Sequence, residues 1–282
     1  AEGEGMAKIA VLGFGTVGGG VAQVLEENRA AIAVRLGEEV SLKRILVRHF
    51  RESPWRDRMT DRLEDITEDP EISVAVEVIG GVDAAYEYTR RCLMSGKHVV
   101  TANKQLVAER GRELLELAEA HNVQYLFEAS VGGGIPIIRP LSQCLAANEI
   151  LEIRGILNGT TNYILSRMDA EGADYADVLA DAQAKGYAEA DPSADVDGFD
   201  AASKTAILAS IGFGTRVTTD DVYQQGIRTI GAEDIAQARE LGYTIKLLGI
   251  ARNTDAGVDV RVHPTLIPAD HMLAKVNGAM NA

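Results

Sequence analysis

Between Gly186 and Lys204 the chain packs five carboxylates, Glu189, Asp191, Asp195, Asp197 and Asp200, and then places one lysine, Lys204, four residues after the last of them. A helix over 198–210 would put Asp200 and Lys204 on one face about one turn apart, close enough to interact. A lysine held beside carboxylates is a proton donor or acceptor, and surplus acidic groups suit the cationic amine of a small substrate. On the residues alone, the other reading is a solvated acidic loop that ends in a surface ion pair.

A second chemical signal stands near the start. Gly13-Phe-Gly15-Thr-Val-Gly18 directly follows the apolar run Lys8–Leu12, which reads as a buried parallel strand, and opens a helical pattern from Val17 to about Arg35. Gly13 permits the tight turn, Gly15 lets the backbone approach a pyrophosphate, and Gly18 lets helix and strand pack closely. Thr16 and Val17, at the helix N-terminus, then present free N–H groups and a partial positive charge to the phosphates. A site that prefers NAD usually carries an acid at the end of the second strand, for the ribose 2′-hydroxyl. Here that region reads Ile45-Leu-Val-Arg48-His49, with Arg51 close by. Arginine suits a 2′-phosphate, so NADP is favoured over NAD, although chains without the acid also accept NAD.

The elements that must position these residues fall into two halves. Strands are expected at Ser41–Val47, Ser73–Ile79, Lys97–Thr101 and Val123–Phe127. Helices are expected at Val82–Ser95 and Gly111–Asn122, with a loop and short helix over 48–65. Strands alternating with helices predict an α/β, Rossmann-type doubly wound parallel sheet. The pattern changes at Val131-Gly-Gly-Gly134, which is the expected passage between a nucleotide-binding domain over 6–134 and a catalytic α+β domain for substrate binding and dimerisation over 135–282. In that second half, helices are expected at Ile135–Ala147, Thr161–Glu171, Tyr175–Lys185, up to about Ser210, and at Glu233–Leu241. Strands are expected at Ile150–Leu157, Thr244–Arg252 and Val258–Leu266. No closing element is evident after Pro268, so the domain reads as truncated at its C-terminal end.

Composition narrows the function classes. The 282 residues are 46% hydrophobic, ample for two domains with sizeable cores, and the net charge of −14 opposes binding to nucleic acid or an anionic membrane surface. No apolar run approaches the roughly 20 residues needed to span a bilayer. No secretory signal is visible, Ala1–Gly5 looks like an expression remnant, and the expected location is the cytoplasm. Cys92 and Cys144 stand singly, without metal or redox spacing, and both read as core residues. His98, His121, His263 and His271 lack ligand spacing and read as structural, His49 stands beside the expected adenosine phosphate, and Trp55 reads as a packing residue.

Five segments read together resemble homoserine dehydrogenases: Gly13–Gly18, Thr101-Ala-Asn-Lys104, Glu128-Ala-Ser-Val-Gly-Gly-Gly-Ile-Pro136, Asn158-Gly-Thr-Thr-Asn162 and Gly186–Lys204. The resemblance runs in order over about 8–268. It implies interconversion of L-homoserine and L-aspartate 4-semialdehyde by hydride transfer with NAD or NADP. It assigns Lys204 as general acid/base, Glu189 to the substrate ammonium group, Asp200 to orienting the lysine or substrate, and Asp195 to supporting that network. Thr160 would touch the substrate, and Lys104 would stand near both nicotinamide and substrate. It also implies a sodium ion held by the Glu128 side chain and the carbonyls of Val131, Gly133 and Ile135, and a homodimer through the second sheet. Carboxylate neighbours favour the ammonium form of a lysine, which suits donation to a developing alkoxide in the reducing direction. Members usually continue beyond this point with a helix that returns to the cofactor domain, and many add a regulatory domain.

Two other functions remain on the residues. An aspartate-semialdehyde dehydrogenase-like enzyme would need a cysteine nucleophile, and neither cysteine lies in a loop suited to one. A non-catalytic dinucleotide sensor would keep the glycine motif but would have no use for a lysine set among carboxylates.

Overall fold

The structure, a computed structural model, describes residues 6–282; the Ala1–Gly5 stretch read as an expression remnant lies outside the described residues. The chain divides into two compact units, one ending at Ser130 and the other beginning at Val131.

The first unit runs β1 (Met6–Leu12), α1 (Thr16–Glu27), α2 (Arg29–Leu36), β2 (Glu39–Leu46), β3 (Met59–Thr60), α3 (Glu64–Thr67), β4 (Ile72–Glu77), α4 (Asp83–Met94), β5 (His98–Thr101), α5 (Lys104–Ala120) and β6 (Tyr125–Leu126). Every pairing in its sheet is parallel, and the order is β3-β2-β1-β4-β5-β6. Chain connections reverse direction between β1 and β4, and doubly wound sheets bind ligands at the carboxyl ends beside such a switch. The β1 residues Ala10, Val11 and Leu12 are wholly buried, as expected for a strand covered on both faces.

Two expectations for this unit change. The single helix from Val17 to Arg35 is two helices meeting at Asn28, whose backbone leaves helical geometry at φ −101°, ψ 12°. The helix expected from Gly111 begins at Lys104, because the Asn103 side chain accepts from the Leu106 amide and caps it. Gly111 is tolerated inside α5, where it is buried beside Val107.

The second unit contains β7 (Glu152–Gly155), α6 (Gly159–Glu171), α7 (Tyr175–Ala184), α8 (Ser193–Val196), α9 (Phe199–Phe213), β8 (Tyr223–Gln224), α10 (Ala232–Glu240), β9 (Tyr243–Thr254) and β10 (Gly257–Pro268). Its mixed sheet is ordered β7-β9-β10-β8, with an antiparallel hairpin from β9 to β10 at the centre. Both faces of β9 are buried, with period-two alternation. Ile245, Leu247 and Ala251 join the core formed with α6, α9 and α10, while Leu248 and Ile250 pack with Ile156, Ile267 and Ala274. The small side chains of α9 (Ala201, Ala202, Thr205, Ala206 and Ala209) let it lie close to the sheet. A Cβ at Gly249 would stand 2.3 Å from the Thr205 hydroxyl.

Three expectations for this unit are corrected. The helix at Ile135–Ala147 contracts to a wide helical turn over 138–144. Pro136 and Pro140 donate no amide hydrogen, and the chain closes the turn with Leu145 N–H on the Pro140 carbonyl at 2.9 Å. Cys144 is exposed at the end of that turn, so only Cys92 is a core cysteine. The segment after Pro268 is not bare, since Met272–Lys275 forms a short helical turn. The buried Lys246 and Asn162 then hold the backbone beyond it: the Lys246 ammonium donates to Val276 O, and the Asn162 amide to the carbonyls of Val276, Gly278 and Met280.

Candidate active site

In the first unit Gly13 and Gly18 have the backbone and packing roles that their spacing predicts. Gly13 has φ +97°, a conformation that L side chains rarely adopt, and a Cβ there would lie 2.9 Å from Val78 O. At Gly18 a Cβ would stand 2.2 Å from the Gly13 carbonyl, so α1 packs on the turn only because that atom is absent. Gly15 differs, because a Cβ there would meet nothing within 4 Å. The protein has no packing reason for glycine at 15, and the open space is what a pyrophosphate needs. Gly15 is also the N-cap of α1 and no side chain caps the helix, which leaves the amides around Thr16 and Val17 to an anion.

A cleft of about 710 Å³ opens from this turn and is lined by Gly13, Gly15, the segment Leu46–Arg51, and Val78–Gly80. Arg48 stands in it as expected at the end of β2. The Arg51 guanidinium lies over the Phe14 ring, 4.8 Å from its centroid, and Trp55 meets the same ring edge-on. Asp61, which the sequence reading passed over, also lines the cleft. It directly follows β3, which pairs with the end of β2, so a carboxylate enters this region from the neighbouring strand.

Lys104 is the first residue of α5, behind a tightly bonded turn. Glu77 is wholly buried at the carboxyl end of β4; its carboxylate accepts from the Ile79 amide at 2.8 Å and from the Thr101 hydroxyl at 2.5 Å. Cys92 is buried and its thiol is pushed up to about 12 by desolvation, the opposite of an activated nucleophile.

In the second unit the acidic run sorts itself by partner. Asp191 caps its own turn through the Ser193 hydroxyl and amide, which hold it below the usual carboxylate range. Asp197 pairs with Arg228. Glu189 is exposed, and among the described residues its carboxylate makes no hydrogen bond or ion pair. Asp195 and Asp200 converge: the Asn158 side-chain amide donates to Asp195 Oδ1 at 2.6 Å and to Asp200 Oδ2 at 2.9 Å. Asn158 is buried, and its own oxygen accepts from the Thr161 amide and hydroxyl, which caps α6.

Lys204 completes the cluster. Its ammonium donates to Asp200 Oδ2 at 2.7 Å and to the Leu157 carbonyl at 2.9 Å, with the side chain 16% exposed. An ammonium carries three protons, so one remains without an acceptor among the described residues, on a side chain that is fixed yet reachable. That arrangement can deliver a proton to a bound oxygen or take one back. The Thr160 hydroxyl is committed to the Tyr187 carbonyl at 2.8 Å, which ties the loop carrying Glu189 to the start of α6. The expected pairing of Asp200 with Lys204 is present. The bridging role of Asn158 and the part of the Leu157 carbonyl were not foreseen; the signal available was Asn-Gly ahead of a helical run, an N-cap position.

Comparison with known proteins covers both units. The family model described as homoserine dehydrogenase matches residues 136–282, and that described as homoserine dehydrogenase, NAD binding domain, matches 13–128. The chain belongs to the homoserine dehydrogenase family. It is 51% identical to a homoserine dehydrogenase of Synechocystis over 97% of this chain and 65% of that one, and 48% identical to one of Pseudomonas aeruginosa over 98% and 64%. The chain thus spans just under two thirds of the length of these relatives. Among solved structures it superimposes on a homoserine dehydrogenase from Thiobacillus denitrificans with TM-score 0.94 and 47% identity, covering 99% of this chain and 66% of that one. It is also similar to a hyperthermophilic archaeal homoserine dehydrogenase in complex with NADPH, with TM-score 0.81 and 26% identity, over 98% of this chain and 86% of the other. The fold is therefore the family's, with its NAD-binding domain first. Among the described residues no helix is long and apolar enough to cross a membrane.

Proposed function

We propose that this chain interconverts L-homoserine and L-aspartate 4-semialdehyde, with Lys204 as the general acid/base. The observation that carries the reading is the Lys204 ammonium, fixed by Asp200 and the Leu157 carbonyl with one proton uncommitted, in a chain that also holds an open dinucleotide cradle. When bound, the nicotinamide supplies or accepts the hydride at the substrate's C4 carbon. Lys204 gives its free proton to the aldehyde oxygen in reduction and takes the hydroxyl proton in oxidation. Asp200 orients that ammonium, and Asp195 holds Asn158, and through it Asp200, in place. The exposed Glu189 carboxylate takes the substrate ammonium group. Thr160, whose hydroxyl donates to the Tyr187 carbonyl, contacts the substrate. Lys104 serves the cofactor and substrate from the start of α5. Alkaline pH favours the oxidising direction, because oxidation of the alcohol releases a proton.

The preferred cofactor is NADP: Arg48 in the cleft supports contact with a 2′-phosphate, and the NADPH complex of the archaeal relative is consistent with it. A sodium ion, held by Glu128 and the carbonyls of Val131, Gly133 and Ile135, belongs to the same reading; the left-handed backbone at Gly132 and Gly133, φ +82° and +59°, supports an irregular turn of the kind that presents carbonyls. A homodimer through the second sheet is supported by the exposed Val258 and Leu266 on β10, and a cytoplasmic location by the biosynthetic chemistry.

The test mixes the protein with NADPH and L-aspartate 4-semialdehyde in the absence of phosphate and follows cofactor absorbance. Oxidation of NADPH with formation of homoserine is expected. Binding without turnover would support a sensor instead, and phosphate-dependent reduction of NADP an aspartate-semialdehyde dehydrogenase.

A further inference from the structure

Among the described residues of the first unit, Glu77 is the one carboxylate that is 0% exposed, and no cation there pairs with it. Taking a carboxylate out of water costs several kcal/mol unless hydrogen bonds replace its hydration. Such a group persists where its bonds accomplish something a neutral side chain would not. Its position is the carboxyl end of β4, beside the switch in strand order where doubly wound sheets place their ligands.

The bonds around Glu77 form a closed circuit. One oxygen receives the Ile79 amide and the other the Thr101 hydroxyl. The Thr101 oxygen in turn receives the Asn103 amide at 2.9 Å. The Asn103 side-chain amide donates to the Gly81 carbonyl at 2.6 Å, which returns the path to the loop where it began. That loop, Val78–Gly81, walls the nucleotide cleft with Val78, Ile79 and Gly80. Gly80 and Gly81 both adopt left-handed backbone, φ +83° and +71°, so the loop has little intrinsic preference for this shape and needs external bonds to keep it. The remaining Asn103 oxygen caps α5 through the Leu106 amide at 3.1 Å, and Lys104 extends from the next residue.

We infer that Glu77 is a positioning residue of the cofactor site: its buried carboxylate locks the Ile79–Gly81 wall of the cleft to the Thr101–Asn103 turn and so sets where Lys104 begins. The inference rests on the dinucleotide reading of the cleft and on the role proposed for Lys104. A carboxylate is required because the circuit needs two acceptors at one point. In Glu77→Gln an NH₂ group takes one of the two places, so either the Ile79 amide or the Thr101 hydroxyl proton loses its acceptor.

The test compares the wild-type protein with Glu77→Gln, Thr101→Val and Thr101→Ser by NADPH fluorescence titration and by steady-state kinetics. Breaking one hydrogen bond of this circuit is expected to raise Kd and KM for NADPH about tenfold in Glu77→Gln and Thr101→Val. KM for aspartate semialdehyde should rise in the same variants, because Lys104 serves both ligands. Thr101→Ser, which keeps the hydroxyl, should restore wild-type values. Lower melting temperatures with unchanged NADPH constants in the folded protein would overturn the inference, as would Thr101→Ser behaving like Thr101→Val. Should Glu77→Gln fail to fold, the two Thr101 variants decide the matter alone. A wild-type protein that binds NADPH but turns over no semialdehyde would refute the proposed reaction, while the titration would still decide the role of Glu77.

Discussion

Asn158→Asp is the sharpest probe of the cluster around Lys204. The wild-type side chain receives two bonds from Thr161 and gives two to carboxylates, Asp195 at 2.6 Å and Asp200 at 2.9 Å. Aspartate keeps the receiving half, so the cap of α6 survives. The giving half is lost, and a third carboxylate is set within hydrogen-bond distance of two others. Hydrogen bonds to charged groups contribute about 1.5–3 kcal/mol each, so the variant should lose about 3–6 kcal/mol at pH 8. For a unit of this size, that corresponds to a fall in Tm of roughly 10 °C or more. The loss should depend on pH with a definite sign. Like charges raise the folded-state pKa of the clustered carboxylates above their unfolded values near 4. The folded variant then binds more protons than the unfolded chain, and its stability relative to wild type rises as pH falls from about 7 towards 4. Asn158→Ala loses the cap and both donors but adds no charge, so its deficit should stay nearly level over that range. Far-UV circular dichroism melts of the three proteins between pH 4 and 8 measure both effects. An Asn158→Asp variant that melts like wild type at pH 8, or whose deficit does not shrink in acid, would show that Asn158 is not the donor to both carboxylates.

Three further outcomes are expected. Lys246 is buried and donates to Asn162 Oδ1, Ser166 Oγ, Val276 O and Asn277 Oδ1, all neutral; desolvation pulls its ammonium down to about 8. The unfolded chain, near 10.4, binds more protons between pH 8 and 10.4, so this group's charge penalty of about 3 kcal/mol is relieved as pH rises through that window. Urea unfolding of wild type against Lys246→Met should show the wild-type advantage growing from pH 7.5 to 10, and a constant difference would contradict the assignment. Gly18→Ala must push α1 away from the Gly13 carbonyl and should lower Tm and NADPH affinity together, whereas Gly15→Ala has room in the protein and should lower affinity alone; equal effects on Tm would refute the division between packing and ligand space. Arg48→Ala should weaken NADPH more than NADH in fluorescence titrations, and an unchanged preference would place the 2′-phosphate elsewhere.

Much of the architecture was legible because it rests on local patterns. The apolar run before Gly13 and the glycine spacing reflect covered strands and close backbone approach, which few other residues satisfy. The stretch after Ile135 misled because its apolar spacing is helical while Pro136 and Pro140 remove the donors that a regular helix needs. The two-residue strands β3 and β8 carry no signal of their own and exist through the pairing offered by β2 and β10. In the site, Asp200 and Lys204 were readable as one helical turn. The sorting of the other four carboxylates was not, since it depends on partners such as Arg228, 31 residues from Asp197. Asn158 lies 37 and 42 residues before the carboxylates it bridges, and no periodicity spans that distance. Lys246, a charge inside an apolar strand, was visible in the sequence but had no meaning until its four oxygen neighbours were known.

Replacing Lys204 tests the central claim most directly. Lys204→Met should keep the folded circular dichroism spectrum and bind NADPH with a Kd within a few-fold of wild type, while turnover of aspartate semialdehyde falls by about 10²–10⁴-fold, the usual contribution of a positioned general acid. A folded Lys204→Met protein that reduces the semialdehyde at near wild-type rate would contradict the account.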